Sequence, residues 1–203
     1  MKLLHIDSSI LGENSVSRSL SKATVERLRS EIPDLEITYR DLVAEPLAHL
    51  TTRSIARLNA GMALDQAAQE DVALGDAVLE EFLAADIVVI GVALYNFSIA
   101  SQLKAWIDRL AVAGKTFRYT EKGPEGLAGD KRVILTVARG GFYGAGSPFS
   151  AFEHAETYLR AVFGFFGVTA PEVIVAEGLN ISAEQRTGST NAALETIAAL
   201  KAA

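Results

Sequence analysis

The sequence predicts an α/β protein: a doubly wound, five-stranded parallel sheet in the strand order 2-1-3-4-5 with helices on both faces. Three observations carry this expectation. Short apolar runs rich in β-branched residues alternate along the chain with stretches of helical periodicity, five of each. That alternation is the pattern of a parallel sheet covered on both sides, and right-handed crossovers leave few ways to wind it. The length, 203 residues with 49% hydrophobic, suits one α/β domain.

The first strand is the run Leu3–Ile6, closed by Asp7. A helix over Ser17–Ile32 follows, with Leu20, Val25 and Leu28 roughly a turn apart. Leu35–Tyr39 is the second strand. Ala44–Met62 reads as a loop feeding a helix that Thr51-Thr52-Arg53 starts, and Asp71–Ala84 as a helix with Val72, Val78, Leu79 and Phe82 on one face. The third strand, Ile87–Leu94, leads to a helix over Ser98–Val112 that carries Leu103, Trp106, Ile107 and Leu110. Gly114–Lys131 is a long loop punctuated by Gly123-Pro124 and Gly126. Loops of that length are usually functional or disordered, and Phe117 and Tyr119 favour a covering or interface role here. Val133–Val137 is the fourth strand, Phe149–Phe166 a helix, Val173–Val175 the fifth strand and Ala183–Leu200 the last helix. No repeat, linker or low-complexity tract interrupts residues 1–203, so a single domain is expected.

Composition narrows the function. The net charge is −6, so no diffuse cationic surface exists for a nucleic-acid backbone. There is no cysteine, which removes disulfides, thiolate metal sites, cysteine nucleophiles and CxxC redox chemistry. Redox work by this chain needs a borrowed cofactor. The apolar start is too short for a signal-peptide core, and the longest apolar run, Ile87 to Tyr95, is about half a membrane span. No membrane partner is expected, and the cytoplasm is the default compartment.

Three strand ends carry ligand-type chemistry on one edge of such a sheet. After strand one comes Ser8-Ser9-Ile10-Leu11-Gly12-Glu13-Asn14-Ser15-Val16-Ser17-Arg18. A helix start there offers unpaired N–H groups and partial positive charge, Ser9, Ser15 and Ser17 add hydroxyls, and Arg18 adds charge if it turns inward. Neither GxGxxG nor GxxxxGK[ST] is present, so a phosphate monoester fits better than a dinucleotide or a nucleoside triphosphate. The alternative reading is a plain helix cap at Asn14 or Ser15. After strand three, Asn96 brings amide groups and Tyr95 and Phe97 bring flat apolar surface, a combination suited to a planar heterocycle; the alternative is core packing with a helix cap at Ser98. After strand four, Gly140-Gly141 lets backbone approach a ligand without Cβ interference, or forms a simple turn.

Other candidates fail. His5, His49 and His154 share no metal-type spacing, and His5 falls within a strand. No G-x-S-x-G elbow is present. Asp108 and Arg109 read as solvated or intrachain pairs, and Glu80-Glu81 as a wet helix face.

Three segments together resemble the FMN-dependent NADH-azoreductases, which are flavodoxin-like quinone reductases. These are Leu94-Tyr95-Asn96-Phe97 with Gln102-Leu103-Lys104, the block from Gly114 through Thr116-Phe117-Arg118-Tyr119-Thr120 to Gly123-Pro124-Glu125-Gly126-Leu127, and Arg139-Gly140-Gly141. Phe165-Phe166-Gly167 and Ala176-Glu177-Gly178 add to the resemblance, which runs over nearly the whole chain. It implies that Ser9, Ser15, Val16 and Ser17 hold the FMN phosphate, and that Leu94, Tyr95, Asn96 and Phe97 line the ribityl chain and ring edge. Arg139, Gly140, Gly141 and Tyr143 would complete the cofactor site, the two glycines meeting the pyrimidine end. It also implies a homodimer with FMN sites at the interface, in which Tyr119 and Phe165 reach the partner's site and help to bind substrate. The family pattern has proline where this chain has Ala93 and Ala100, serine at Ala138 and histidine at Tyr143.

The implied activity is two-electron transfer from NADH or NADPH through FMN to quinones and azo compounds, in ping-pong order. No catalytic side chain and no metal are needed, because the cofactor carries the chemistry. Two other readings of the same scaffold are a flavodoxin-type electron carrier and a flavin-free regulatory or NAD-sensing module.

Overall fold

The computed structural model describes residues 1–52, 54 and 63–201. Its main sheet is parallel and contains β1 (Lys2–Asp7), β2 (Glu36–Asp41), β3 (Ile87–Ala93), β6 (Arg132–Ala138) and β7 (Glu172–Ala176), in the order β2-β1-β3-β6-β7. The expected order 2-1-3-4-5 needs correction in its numbering. The segment taken as a loop, Gly114–Lys131, contains a separate antiparallel hairpin, β4 (Phe117–Thr120) and β5 (Gly123–Gly126), inserted before the fourth sheet strand.

Strand periodicity divides the core between the two faces. Val88, Ile90 and Val92 of β3 join Leu4 and Ile6 of β1 and Val133, Leu135 and Val137 of β6 on one face. That face is covered by α2 (Gln66–Ala84), α3 (Ser101–Leu110) and α4 (Glu156–Phe165), through Val78, Leu79, Phe82, Leu103, Trp106, Leu110, Leu159 and Phe163. Ile87, Val89, Leu3 and Ile134 point the other way, under Leu20, Val25 and Leu28 of α1 (Val16–Glu31) and Ala193 and Ile197 of α5 (Ala183–Ala198). Phe82 and Trp106 meet edge to face at 6.1 Å in the larger cluster.

Local chemistry sets the helix ends. Ser15, Asp65 and Ser182 cap α1, α2 and α5, each accepting the N–H three residues on. The Glu153 carboxylate caps α4 by taking the N–H groups of Ala155, Glu156 and Thr157. The cap at Ser98 that the alternative reading offered does not form: α3 starts at Ser101, and Ser98 exchanges both backbone hydrogen bonds with Tyr95. Helix α2 starts five residues before the predicted Asp71, because its first turn, Gln66-Ala67-Ala68, has no apolar periodicity to announce it. The long helix expected over Phe149–Phe166 divides into a 3-10 turn at Ser150–Phe152 and α4. The helix start proposed at Thr51-Thr52-Arg53 and continuing to Met62 falls mostly outside the described residues.

Arg109 is buried rather than solvated, with Asp71 at 2.8 Å and the Ala48 carbonyl at 2.8 Å; Asp108 pairs with Lys104. Glu81 is not simply wet, since Arg40 grips its carboxylate at 2.6 and 2.9 Å. Among the described residues, no helix is long and apolar enough to cross a membrane.

Candidate functional site

A cleft of about 510 Å³ opens outside the carboxyl ends of β1, β3 and β6. It lies where the strand order reverses, the position at which open α/β sheets bind ligands. Ser9, Ser15 and Val16 line it from the first turn, Leu94 to Phe97 from the turn after β3, and Gly140, Gly141 and Tyr143 from the turn after β6. Sequence reasoning missed Leu11, Asn14, Leu179, Asn180 and Arg186, which also line it. The last three follow β7 and reach the cleft only through tertiary packing, so no local signal marks them.

At the start of α1, Ser15 is both cap and wall. Its hydroxyl accepts the Arg18 N–H at 3.3 Å and lies 3.1 Å from the Ser17 hydroxyl. Ser17 is fully buried and does not line the cleft, so its hydroxyl acts only beside Ser15. The N–H groups of Val16 and Ser17 belong to the first helical turn and find no protein acceptor among the described residues. Arg18 does not turn inward. It forks onto both oxygens of Asp41 at 2.7 Å, and its Nε and Nη2 donate to the Ser9 carbonyl at 3.0 and 2.9 Å. The Ser9 hydroxyl lies 2.8 Å from that of Tyr95, which joins the first and third strand tips.

The β3 turn is strained. Asn96 and Phe97 both have positive φ, 48° and 72°. A bulky side chain in that region costs on the order of 1–3 kcal/mol. The surroundings hold it there: Tyr95 and Ser98 pair across the turn, and the His154 N–H donates to the Phe97 carbonyl at 2.9 Å. The Phe97 ring packs on Phe152 at 5.0 Å and Tyr143 at 6.1 Å. No protein acceptor among the described residues takes the N–H of Asn96 or Phe97.

After β6, the carbonyls of Gly140 and Gly141 accept the N–H groups of Asn180 and Gly178, while their own N–H groups remain without a protein acceptor among the described residues. A Cβ at Gly140 would lie 2.6 Å from Asn180 Nδ2, so backbone and side chain are flush there. Arg139 does not line the cleft, contrary to the expectation that groups it with the cofactor residues. It is buried behind the turn against Glu153, Glu156 and Glu177, and Glu177 in turn accepts the N–H groups of Tyr143 and Gly144 at 3.2 Å. Arg139 thus positions the glycine turn.

Beneath the first turn, the Asp7 carboxyl is raised to about 6 by burial, against the opposing pull of the Ser21 hydroxyl, Arg18 and the Tyr39 hydroxyl. His5, 3.4 Å from it, is lowered to about 4 by burial and by Arg18. The two act oppositely on stability. The folded state binds the Asp7 proton more tightly than the unfolded chain, so this contribution is lost as pH rises from about 4 through 6. His5 is held neutral in the fold, so its contribution is complete above 6.5 and lost as pH falls through about 4. The Asp7 and His5 contributions should therefore nearly cancel from pH 4 to 6. Asp7→Asn should stabilise the chain by about 1–2 kcal/mol at pH 7 and leave a curve that climbs with pH across that window. Urea unfolding at half-unit pH steps measures both; a D7N curve parallel to wild type would contradict the assignment.

Tyr119 and Phe165 lie outside the cleft lining. They meet through Phe117, whose ring is 5.5 Å from Tyr119 and 4.5 Å from Phe165. Tyr119 is 75% exposed at the hairpin. Among the described residues, no three His, Asp or Glu side chains gather to hold a metal ion.

The family described as having a flavodoxin-like fold matches residues 1–200. An FMN-dependent NADH:quinone oxidoreductase of Methylorubrum extorquens is 60% identical over 203 residues, all of both chains. The chain belongs to the FMN-dependent NADH:quinone oxidoreductase family. Among solved structures, an azoreductase from Bacillus anthracis superposes with a TM-score of 0.88 at 35% identity, covering 98% of this chain and 97% of that one. A B. anthracis FMN-dependent NADH-azoreductase solved in complex with FMN gives 0.85 at 25% identity, with 97% of each chain covered. In this oxidoreductase, three of the four departures from the family pattern, Ala93, Ala138 and Tyr143, stand in the cleft wall, whereas Ala100 is buried at the start of α3.

Proposed function

We propose that this chain, acting as one domain over residues 1–203, transfers two electrons from NADH or NADPH to quinones and azo compounds with FMN held in the cleft described above. The observation that carries the reading is the set of N–H groups without protein acceptors among the described residues at three strand tips around one cleft: Val16, Asn96 and Phe97, and Gly140 and Gly141. Five such groups beside an aromatic wall match a flat heterocycle with a phosphate tail. Two-electron chemistry is what FMN supplies when bound. The Val16 N–H and the hydroxyls of Ser9 and Ser15 hold the phosphate, with Ser17 acting through Ser15 and the helix dipole behind them. Leu94, Tyr95, Asn96 and Phe97 line the chain and ring edge. Gly140, Gly141 and Asn96 offer donors where negative charge develops, as an oxyanion hole does. Donor and acceptor take the same open face in turn.

A homodimer is part of the proposal, in the cytoplasm. Tyr119, Phe149, Phe152 and Phe165 are exposed aromatics, and a second copy would cover them while Tyr119 and Phe165 reach across to its substrate. Sedimentation velocity should give a two-chain species, and Tyr119→Ala should raise the quinone KM severalfold with FMN content unchanged.

The test of function is direct. Purified chain titrated with FMN should form a one-to-one yellow complex that NADH bleaches and a quinone restores. A complex that binds FMN but leaves NADH unconsumed would assign an electron carrier, and a chain that fails to bind FMN would overturn the proposal.

A further inference from the structure

The phosphate of a mononucleotide carries about −1.5 to −2 charge at pH 7, yet the donors so far assigned to it are neutral. Arg18, the cation closest in sequence, is committed to Asp41 and to the Ser9 carbonyl. Arg186, on the first turns of α5, is the single charged side chain among the described residues that lines the cleft. It lies at the end formed by Asn14, Ser15 and Val16, and its Nη2 donates to the Asn14 carbonyl at 3.2 Å. No carboxylate among the described residues pairs with it, whereas Arg18, Arg40, Arg109, Arg118 and Arg139 all sit in ion pairs. A guanidinium with four of its five N–H donors to spare, on a partly exposed side chain, therefore stands beside the first turn of α1.

We infer that Arg186 is the charge partner of the cofactor phosphate, anchoring it from α5 across to the start of α1. The inference rests on the placement of FMN proposed above. It makes Arg186 a specificity-determining residue that selects the 5′-phosphate over the bare riboflavin. The same side chain also fixes the carbonyl before Ser15, so the anion site spans two helices remote in sequence.

Flavin-stripped full-length chain is titrated with FMN and, separately, with riboflavin, following flavin fluorescence. Arg186→Ala should raise the FMN Kd about tenfold, the size of one charge-assisted contact, and leave the riboflavin Kd within twofold. Arg186→Lys should keep most of the affinity, and the dependence of FMN binding on ionic strength should flatten in the alanine variant. An unchanged melting temperature and circular dichroism spectrum confirm that the variant folds. Equal weakening of FMN and riboflavin would overturn the inference, since that marks a purely structural role. Ser15→Ala separates the two layers of the argument. If it weakens FMN binding while Arg186→Ala does not, the arginine assignment falls and the cleft stands; if neither substitution matters, both fall.

Discussion

Arg139→Met is expected to lower the stability of the chain by about 3–5 kcal/mol, the cost of leaving buried charges without their counterion. Arg139 is 2% exposed and reaches Glu156 at 2.7 Å and Glu153 and Glu177 at 3.4 Å. Burial works against the charge on Glu153, yet the N–H groups of Glu156 and Thr157, the Thr157 hydroxyl and Arg139 together hold its carboxyl below the usual range. Without the guanidinium, three carboxylates face each other around an apolar stem. At roughly 2–4 °C per kcal/mol for a chain of this size, the melting temperature should fall by about 10 °C. Arg139→Lys should recover only part of this, because an ammonium point charge cannot fork to three partners. FMN affinity should fall as well, since Glu177 loses its anchor and with it the hold on the N–H groups of Tyr143 and Gly144. Calorimetry and a flavin titration measure the two effects. A stability loss under about 1 kcal/mol would show that the cluster is wetter than its geometry indicates.

Gly126→Ala should be nearly as damaging, and its harm should be local. A Cβ at Gly126 would overlap the backbone of Phe166 and Gly167, where the returning arm of the hairpin lies flat on the end of α4. No side-chain rotation relieves a clash with backbone, so β5 must lift away. The Ala128 N–H, which donates to the Phe166 carbonyl at 2.8 Å, goes with it. Overpacking of this kind costs about 3 kcal/mol. The effect should appear first as rapid amide exchange across Phe117–Ala128 while exchange in the main sheet stays slow. Because Phe117 bridges Tyr119 to Phe165, quinone KM should rise even where FMN content is preserved. Slow exchange in the hairpin of the variant would show that the packing gives way elsewhere.

The sheet was legible because strands buried on both faces are written as unbroken β-branched runs, and Ile87–Ala93 is the plainest of them. The hairpin was not, since four-residue strands such as Phe117-Arg118-Tyr119-Thr120 alternate too briefly to separate from loop, and Gly123-Pro124 reads as a turn. Within the site, the tips after β1, β3 and β6 could be read from hydroxyls, aromatics and glycines. The direction of a long side chain could not. Arg18 and Arg139 sit beside ligand-like residues in sequence and turn away from the cleft, whereas Arg186 comes to it from the far end of the chain. Charge pairing decides those directions, and pairing depends on residues dozens of positions apart.

The grip of Arg18 on the Ser9 carbonyl has a kinetic consequence. Its anchors, the edge strand at Asp41 and the turn at Ser9, are supplied by the chain itself. With FMN placed as proposed, an arriving nucleotide meets a finished cradle, and little backbone freedom is surrendered on capture. Capture is then limited by diffusion and water release rather than by ordering of the loop, while release waits on the contacts that hold the bound nucleotide.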